Sequence, residues 1–389
     1  MEPCVHRANC GGCIYQEIAY EDQLQLKAKD VIRHFNDNLV PTGDFLGIES
    51  SPSRYGYRNK MEYTFGDEVK GGELTLGLHR QGRFFSIITT DECQIADEDF
   101  NKIQRTVLDF CKAEDYPFYH KKSHKGLLRH LVLRKGHRTG ELLVNIVTST
   151  QLPFSGEKFV EVIKSIDLSG QVVGILHTEN DNKADAVNCD NLNILWGRDY
   201  YNEELMGLKF SVSAFSFFQT NVEAAERLYS EAISLIPDLS GKTVFDLYSG
   251  TGTIAQAVAL KANKVIGIEI VEDAVNSARR NADLNEIENC TFVCGDVLKL
   301  IEKIDEKPDV IFLDPPRAGV HPKALEKILN YGVNEIVYIS CNPKTLAQNL
   351  AVATDFGYKV EKLKAYDNFP FTRHVEAVTL LTRSEASCK

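Results

Sequence analysis

The sequence predicts an α/β protein: a doubly wound, mostly parallel sheet closed by one antiparallel strand, with a β-rich α+β domain ahead of it. Three observations predict it. After Trp196, short apolar β-branched runs alternate with stretches of helical period, as in a parallel sheet wound by crossover helices. Between residue 54 and about 200 the runs are mostly strands, interrupted by two helices. Only about ten residues, including Pro370, separate Lys364 from Val375. That is too few for the crossover a parallel neighbour needs, so the last strand returns antiparallel.

The chain opens on Cys4, Cys10 and Cys13, a set in which Gly11 and Gly12 let the backbone fold tightly enough for the sulfurs to converge. Clustered thiolates bind zinc or an iron–sulfur cluster, and spacing does not choose between them. Three thiols leave such a site one ligand short; Cys93 is the candidate fourth, with His6 a weaker one. Next, Leu24, Leu26, Ala28, Val31, Ile32 and Phe35 recur near helical period, predicting one helix over Tyr20–Phe35 that Pro41 and Gly43 end. Strands are expected at Lys60–Phe65, Leu74–His79, Phe84–Thr89, Leu128–Arg134, Leu142–Thr148 and Val172–His177, and helices at Asp99–Ala113 and Gly156–Ile166. Asn221 caps a helix that runs to Ile236 and stops at Pro237. The alternating part follows. Its strands are Thr243–Leu247, Lys264–Glu269, Thr291–Val293, Asp309–Leu313, Glu335–Ser340, Tyr358–Lys364 and Val375–Thr382; its helices are Thr253–Lys261, Glu272–Leu284, Pro322–Leu329 and Pro343–Phe356. Two units result: residues 1–15 with 48–214 form the cysteine-bearing α+β domain, and 16–47 with 215–389 form the wound sheet.

Ligands of open α/β sheets sit at the carboxyl edge of the strands. There the sequence places Asp246-Leu247-Tyr248-Ser249-Gly250-Thr251-Gly252, a strand that breaks into a glycine turn and then a helix. Gly250 and Gly252 allow close backbone approach to a ligand. Asp246 suits a cationic amino-acid group better than a pyrophosphate. Glu269 ends the second strand, where an acid binds ribose hydroxyls, and Asp296 follows the third, where it can accept from an adenine amino group. Together these fit S-adenosylmethionine better than NAD. Asp314 is held at the rim by Pro315 and Pro316. The strand ending at Ser340 delivers Cys341 just before an Asn-Pro turn, so this cysteine is the reactive one. Because the final strand is antiparallel, it starts on the rim where the others end, bringing Arg373-His374-Val375-Glu376 to Cys341.

Net charge is −11 over 389 residues, yet His120 to Arg138 holds seven Lys or Arg, four His and no acid. A basic run in an acidic chain reads as an anion-facing surface, with Lys121, Lys122, Lys125 and Arg129 its first cations. No apolar run is long enough to span a membrane, and Met1-Glu2-Pro3-Cys4 lacks the features of a signal peptide. The expectation is a cytoplasmic protein with no membrane partner, in which thiols serve metal binding or catalysis.

On these motifs the chain resembles the S-adenosylmethionine-dependent RNA 5-methyluridine methyltransferases along nearly its whole length. The resemblance rests on the cysteine set, Phe217-Phe218-Gln219-Thr220-Asn221, the Asp246–Gly252 turn, Asp314-Pro315-Pro316-Arg317, Ser340-Cys341-Asn342-Pro343 and His374-Val375-Glu376. It implies a Rossmann-like class I methyltransferase sheet and a central RNA-binding domain bearing a [4Fe–4S] cluster on Cys4, Cys10, Cys13 and Cys93. It implies Cys341 as nucleophile and Glu376 as general base, with Gln219, Tyr248, Glu269 and Asp314 on S-adenosylmethionine. A thiolate added to uracil carbon 6 makes carbon 5 nucleophilic, and a separate base must later remove the carbon 5 proton. The uridine has to be extruded, with Phe217 as its stacking partner. Many members carry a β-barrel RNA-binding domain ahead of the cysteines; here three residues precede Cys4. Members acting on the bacterial tRNA T-loop usually resemble the family without the cysteine set, so its presence points to 23S ribosomal RNA, the tRNA T-loop being the alternative. A monomer is expected. A non-catalytic iron–sulfur RNA-binding protein is the reading from another class, and it leaves Cys341 and Glu376 without a role.

Overall fold

The computed structural model of the chain describes residues 3–184, 187–301 and 303–383. Helix α1 (Tyr20–Asp37) and strand β1 (Asp44–Glu49) come first. A seven-stranded sheet follows, built from β2 (Lys60–Asp67), β3 (Leu74–Arg80), β4 (Arg83–Thr89), β5 (Leu128–Lys135), β6 (Glu141–Thr148), β7 (Gln171–Glu179) and β8 (Asn191–Gly197), with α2 (Glu98–Ala113) and α3 (Gly156–Lys164). Its order is β4-β3-β2-β5-β6-β7-β8, and only β6 and β7 run parallel. The middle strands β5 and β6 are buried almost throughout, as their near-continuous apolar runs require. Phe100, Ile103 and Val107 of α2, which lies against β3, share the core with them.

A hairpin of β9 (Tyr200–Leu205) and β10 (Leu208–Ser213) turns at Met206 and Gly207, both with positive φ, the backbone that a tight two-residue hairpin needs. Its inner side chains, Tyr201, Leu205, Phe210 and Val212, lie in a core shared with the second sheet.

The second sheet comes from α4 (Val222–Ser234), β11 (Thr243–Leu247), α5 (Thr253–Ala259), β12 (Lys264–Glu269), α6 (Glu272–Leu284), β13 (Cys290–Cys294), α7 (Val297–Leu300), β14 (Val310–Leu313), α8 (Pro322–Asn330), β15 (Glu335–Ser340), α9 (Pro343–Asp355), β16 (Tyr358–Tyr366) and β17 (Glu376–Arg383). The eight strands lie in the order β1-β16-β17-β15-β14-β11-β12-β13. All neighbours are parallel except β17, which is antiparallel to both β15 and β16, as the short connection before it predicts. Separate apolar cores fill its two faces.

Five elements were not expected from the sequence: β1, β8, the hairpin strands β9 and β10, and α7. Strand β1 crosses residue 47 and adds itself to the large sheet beside β16, so the amino-terminal segment packed there reaches Glu49. Helix α7 has four residues and β8 is largely exposed, so neither carries a strong apolar period.

The two sheets are clasped by the loop between β16 and β17. Phe371 is buried in the core of the small sheet, while the Pro370 and Phe371 carbonyls accept from the Tyr57 hydroxyl (3.1 Å) and the Tyr15 amide (2.9 Å). Residues before α1 lie against the small sheet: the Gly11 amide donates to the His79 carbonyl (3.1 Å) and the Gln81 amide to that of Asn9 (2.8 Å). Among the described residues no helix is long and apolar enough to cross a membrane.

Candidate active site

The carboxyl edge of the large sheet gathers the expected residues. After β11 the chain enters the glycine turn with Tyr248 at φ 69°, Gly250 at 53° and Gly252 at 79°. Gly252 is also sterically required, because a Cβ there would stand 2.6 Å from the Phe292 ring. The left-handed backbone of Tyr248 is held by its amide donating a hydrogen bond to the Ile268 carbonyl at 2.9 Å. Glu269 braces the turn: its carboxylate accepts from the Gly250 amide (3.0 Å) and the Val271 amide (2.9 Å). Asp296 caps α7, accepting from the Leu298 amide at 3.0 Å. Its charge, like that of Glu269, helps burial to push the Tyr248 phenol up to about 12.

Four acidic groups crowd the centre of this edge. Burial pushes Asp314 up to about 7. Burial and then the Asp314 charge push Asp246 up to about 8. The nearby Ala255 amide lowers Asp246 somewhat but makes no full hydrogen bond; neither of its buried oxygens has a partner. Glu376, the first residue of β17, is buried and is raised to about 8 by burial and Asp314, with Arg317 opposing. Cys341 is half-buried, and burial, Glu376 and Asp314 push its thiol up to about 11, again against Arg317. The register pairs Ser340 with Ala377, so the next residue of one strand and the preceding residue of its antiparallel neighbour face each other. Those residues are Cys341 and Glu376. A crowd of carboxyl groups held protonated by burial and mutual repulsion is a site that favours a cation.

Local structure explains how each piece is held. Asn342 caps α9, its carboxamide accepting from the Lys344 amide (3.2 Å) and donating to the Arg317 carbonyl (2.9 Å), which ties the cysteine turn to the Asp314 turn. Arg317 donates to His374 Nδ1 at 2.9 Å. Burial and then the charges of Arg317, Arg373, Lys27 and Arg58 hold His374 down to about 4, so it is neutral and free to accept. Asn221 caps α4, accepting from the Ala224 amide (3.2 Å), and donates to the Asn368 carbonyl at 2.9 Å. Gln219 donates to the Tyr229 hydroxyl at 2.8 Å, and the acids whose charges reach Tyr229 are Asp314, Glu376 and Asp246. Tyr229, Arg317 and His374 are the site residues whose roles the sequence did not reveal. Tyr229 sits on the apolar period of α4 and reads as core; only its hydroxyl signals otherwise.

The remaining candidates divide. Phe217 is 68% exposed, so it is not a core ring. Lys121 and Lys122 project over the rings of Phe84 and Phe85, and Lys125 is exposed. Arg129 corrects the expectation of an RNA-facing cation. It is 4% exposed, and its guanidinium donates to the carbonyls of Asn180 (2.8 Å), Asn182 (2.7 Å) and Ala184 (2.8 Å). Further along the basic run, Arg134 is buried and donates to the Ser216 carbonyl, while Lys135 is paired with Asp97 and Asp99. Strand β5 is buried on both faces, so cations placed on it must find partners inside.

Cys4, Cys10, Cys13 and Cys93 line one hollow beside β3. Burial raises the thiols of Cys10, Cys13 and Cys93, Cys13 to about 12, and the neighbouring sulfurs add to the rise in each case. Among the described residues no three His, Cys, Asp or Glu side chains are arranged to hold a single metal ion.

The sequence model of the tRNA (Uracil-5-)-methyltransferase family matches residues 188–384. An uncharacterized RNA methyltransferase of Clostridium tetani is 52% identical over 382 residues, covering 98% of this chain and 84% of that protein. One from Bacteroides thetaiotaomicron is 36% identical, covering 97% and 87%. The crystal structure of the Pyrococcus abyssi tRNA (uracil-54, C5)-methyltransferase in complex with S-adenosyl-L-homocysteine superposes with a TM-score of 0.78 at 27% identity, covering 96% of this chain and 86% of that one.

Proposed function

The chain belongs to the tRNA (uracil-5-)-methyltransferase family and is an S-adenosylmethionine-dependent RNA (uracil-5-)-methyltransferase; from that premise we propose how its residues divide the work and which RNA it modifies. The observation that carries the reading is one wall of the site: a half-buried cysteine ending a parallel strand, beside a buried carboxyl that begins the antiparallel strand next to it.

Carbon 5 of uracil is a weak nucleophile. Cys341 adds as a thiolate to carbon 6, the ring double bond shifts toward the carbonyl at carbon 4, and carbon 5 gains carbanion character. Bound S-adenosylmethionine supplies the methyl group there as a sulfonium-activated electrophile. Glu376 then takes the proton from carbon 5, the electron pair restores the ring double bond, and Cys341 leaves. Arg317, which opposes the rise of both acidic groups, favours the ionised forms that this sequence needs. Phe217 is exposed and available to stack on the extruded base.

The residues fit the cofactor. Asp246 and Asp314 offer carboxylates to a cationic amino-acid group, and the orphaned oxygens of Asp246 mark where charge is missing. Glu269 would hold the ribose hydroxyls and Asp296 the adenine amino group. Gly250, with open space where a Cβ would stand, permits close approach beside Tyr248, and Gln219 is aimed by Tyr229.

A [4Fe–4S] cluster on Cys4, Cys10, Cys13 and Cys93 is part of the proposal. Four thiols line a shared hollow, and burial together with the neighbouring sulfurs raises those of Cys10, Cys13 and Cys93, an arrangement that calls for a cationic centre. The cluster would shape the amino-terminal loop without joining the chemistry.

The RNA target proposed is 23S ribosomal RNA, on the strength of the cysteine set. A second reading, a uridine of the tRNA T-loop, is favoured by the likeness to the Pyrococcus tRNA enzyme. Mapping 5-methyluridine in ribosomal and transfer RNA from wild-type and deletion cells decides. One position lost from ribosomal RNA supports the first reading; a loss confined to tRNA replaces it with the second; no loss in either overturns both.

A further inference from the structure

Strand β4 is an edge of the seven-stranded sheet, a different sheet from the one that carries the active site. At its start Phe84 and Phe85 are 60% and 56% exposed. Successive residues of a strand point to opposite faces, so one of two adjacent rings ordinarily reaches the core. Here the ladder to β3 slips between His79 and Arg80, and both rings emerge. They meet edge to face with centroids 5.3 Å apart, and His79 stacks on Phe84 at 5.1 Å.

Cations cover them. The Lys121 ammonium stands 4.7 Å from the centre of the Phe84 ring and the Lys122 ammonium 4.7 Å from that of Phe85. Both lysines sit in a turn closed by hydrogen bonds between the His120 amide and the Lys125 carbonyl (2.8 Å) and between the Tyr119 amide and the Leu128 carbonyl (2.7 Å). The other side of the platform is equally fixed. Asn9 and Gly11 of the cysteine loop bond the main chain of Gln81 and His79, where β3 turns into β4. Rings and lysines are thus presented from anchored turns.

Two adjacent rings, each with an ammonium over one face and more than half of its surface still exposed, match the two surfaces that a single strand of RNA offers, unstacked bases and phosphates. A duplex hides its base faces and does not fit. A folded protein partner needs about 800 Å² of complementary surface on each side, far beyond two rings. We propose that Phe84 and Phe85, with Lys121 and Lys122, form a docking platform that stacks bases of a single-stranded segment of the substrate RNA outside the active site. The proposal rests on the RNA-methyltransferase reading and names the part of the surface that holds the RNA.

The test uses the full chain and a short unstructured RNA, with affinity followed by fluorescence anisotropy over a range of salt. Phe84→Ala with Phe85→Ala is expected to weaken binding about tenfold or more without changing the salt slope. Phe84→Trp with Phe85→Trp should retain affinity. Lys121→Gln with Lys122→Gln should flatten the slope of log affinity against log salt by about 1.4, two single-strand phosphates' worth. Affinity for S-adenosylhomocysteine should stay constant throughout. RNA affinity unchanged in the alanine pair overturns the platform, even if the wild type methylates uridine. Loss of binding in the alanine pair while the wild type methylates no uridine keeps the platform and overturns the activity reading. Wild type that binds no RNA overturns both. A wild-type dimer that the alanine pair converts to monomer, with RNA affinity intact, gives the rings to a second copy of the chain and also overturns the proposal.

Discussion

Cys341 and Glu376 divide one reaction into two events that mutation can separate. Cys341→Ala should abolish methyl transfer while leaving S-adenosylmethionine binding intact. Glu376→Gln keeps the nucleophile and removes the base, so addition and methylation proceed but elimination stalls. A denaturant-resistant protein–RNA band should accumulate in that variant and vanish when Cys341 is also changed. RNA carrying 5-fluorouridine at the target should trap the wild type in the same way. Methylation by Cys341→Ala, or no trapped band with fluorinated RNA, would remove both residues from the mechanism. The acids around them set a pH dependence. Asp314 at about 7, and Asp246 and Glu376 at about 8, hold protons near neutrality in the cofactor-free protein. A cation binds best to their ionised forms, so S-adenosylmethionine binding expels protons and tightens as pH rises from about 6 to 9. Calorimetry in buffers of different ionisation enthalpy should register that release; a pH-independent affinity without it contradicts the cation-seeking site. At this scale the sequence was most legible where chemistry is local. An Asn-Pro turn after an apolar strand is enough to place Cys341. Arg129 was misread because a guanidinium satisfied by three carbonyls and a guanidinium awaiting phosphate look alike in sequence.

Among the elements, α1 and the loop before β17 show how helix and loop position the base. The inner face of α1 is polar in its first half, where Tyr20, Gln23 and Lys27 are buried, and apolar beyond, at Val31 and Phe35. Lys27 pairs with Asp367, both side chains wholly enclosed, and donates to the Phe369 carbonyl at 3.1 Å. Gln23 accepts from the Phe371 amide at 3.0 Å and donates to the carbonyls of Tyr15 and Ile18. The loop so clamped leads within a few residues to His374 and Glu376. Lys27→Met should therefore cost about 3–5 kcal/mol in urea unfolding, because Asp367 is left charged and unpaired in the interior. Adding Asp367→Leu should recover most of that loss. If recovery of stability is not matched by recovery of methyl transfer, the pair sets the loop's position as well as holding the fold; equal recovery of both would make it a packing feature alone. The apolar period read from the sequence ran through Leu24, Leu26 and Ala28, yet Leu26 is exposed, and nothing local says that Tyr20, Gln23 and Lys27 face inward. Strand β1 escaped for a related reason. It is six residues with a glycine inside, and its ladder partner, β16, lies at the far end of the chain. Strands β11 to β15 and β17 were legible because each is a largely apolar run, and β16 because its apolar residues recur among charged ones, while the antiparallel return of β17 followed from the length of its connection alone.

At the scale of the whole molecule, the cysteine hollow and the active site stand on different sheets, joined through the clasp at Tyr15, Tyr57 and Phe371. That separation predicts what metal loss does. Protein purified without oxygen should be brown and contain iron, and Cys10→Ser or Cys93→Ser should lose it. The first effect should fall on the loop of Asn9 and Gly11, whose hydrogen bonds pin the end of β3, and from there on the surface of the small sheet. RNA affinity should drop in the iron-free variants while S-adenosylmethionine affinity holds, because the glycine turn and its acids are braced within the large sheet by Glu269. Iron analysis, cofactor titration and RNA anisotropy on the same preparations separate the cases. Colourless protein with one stoichiometric zinc would replace the cluster with a mononuclear site. Equal loss of both affinities would mean that the clasp transmits disorder from one sheet to the other and that the two halves are not independently stable.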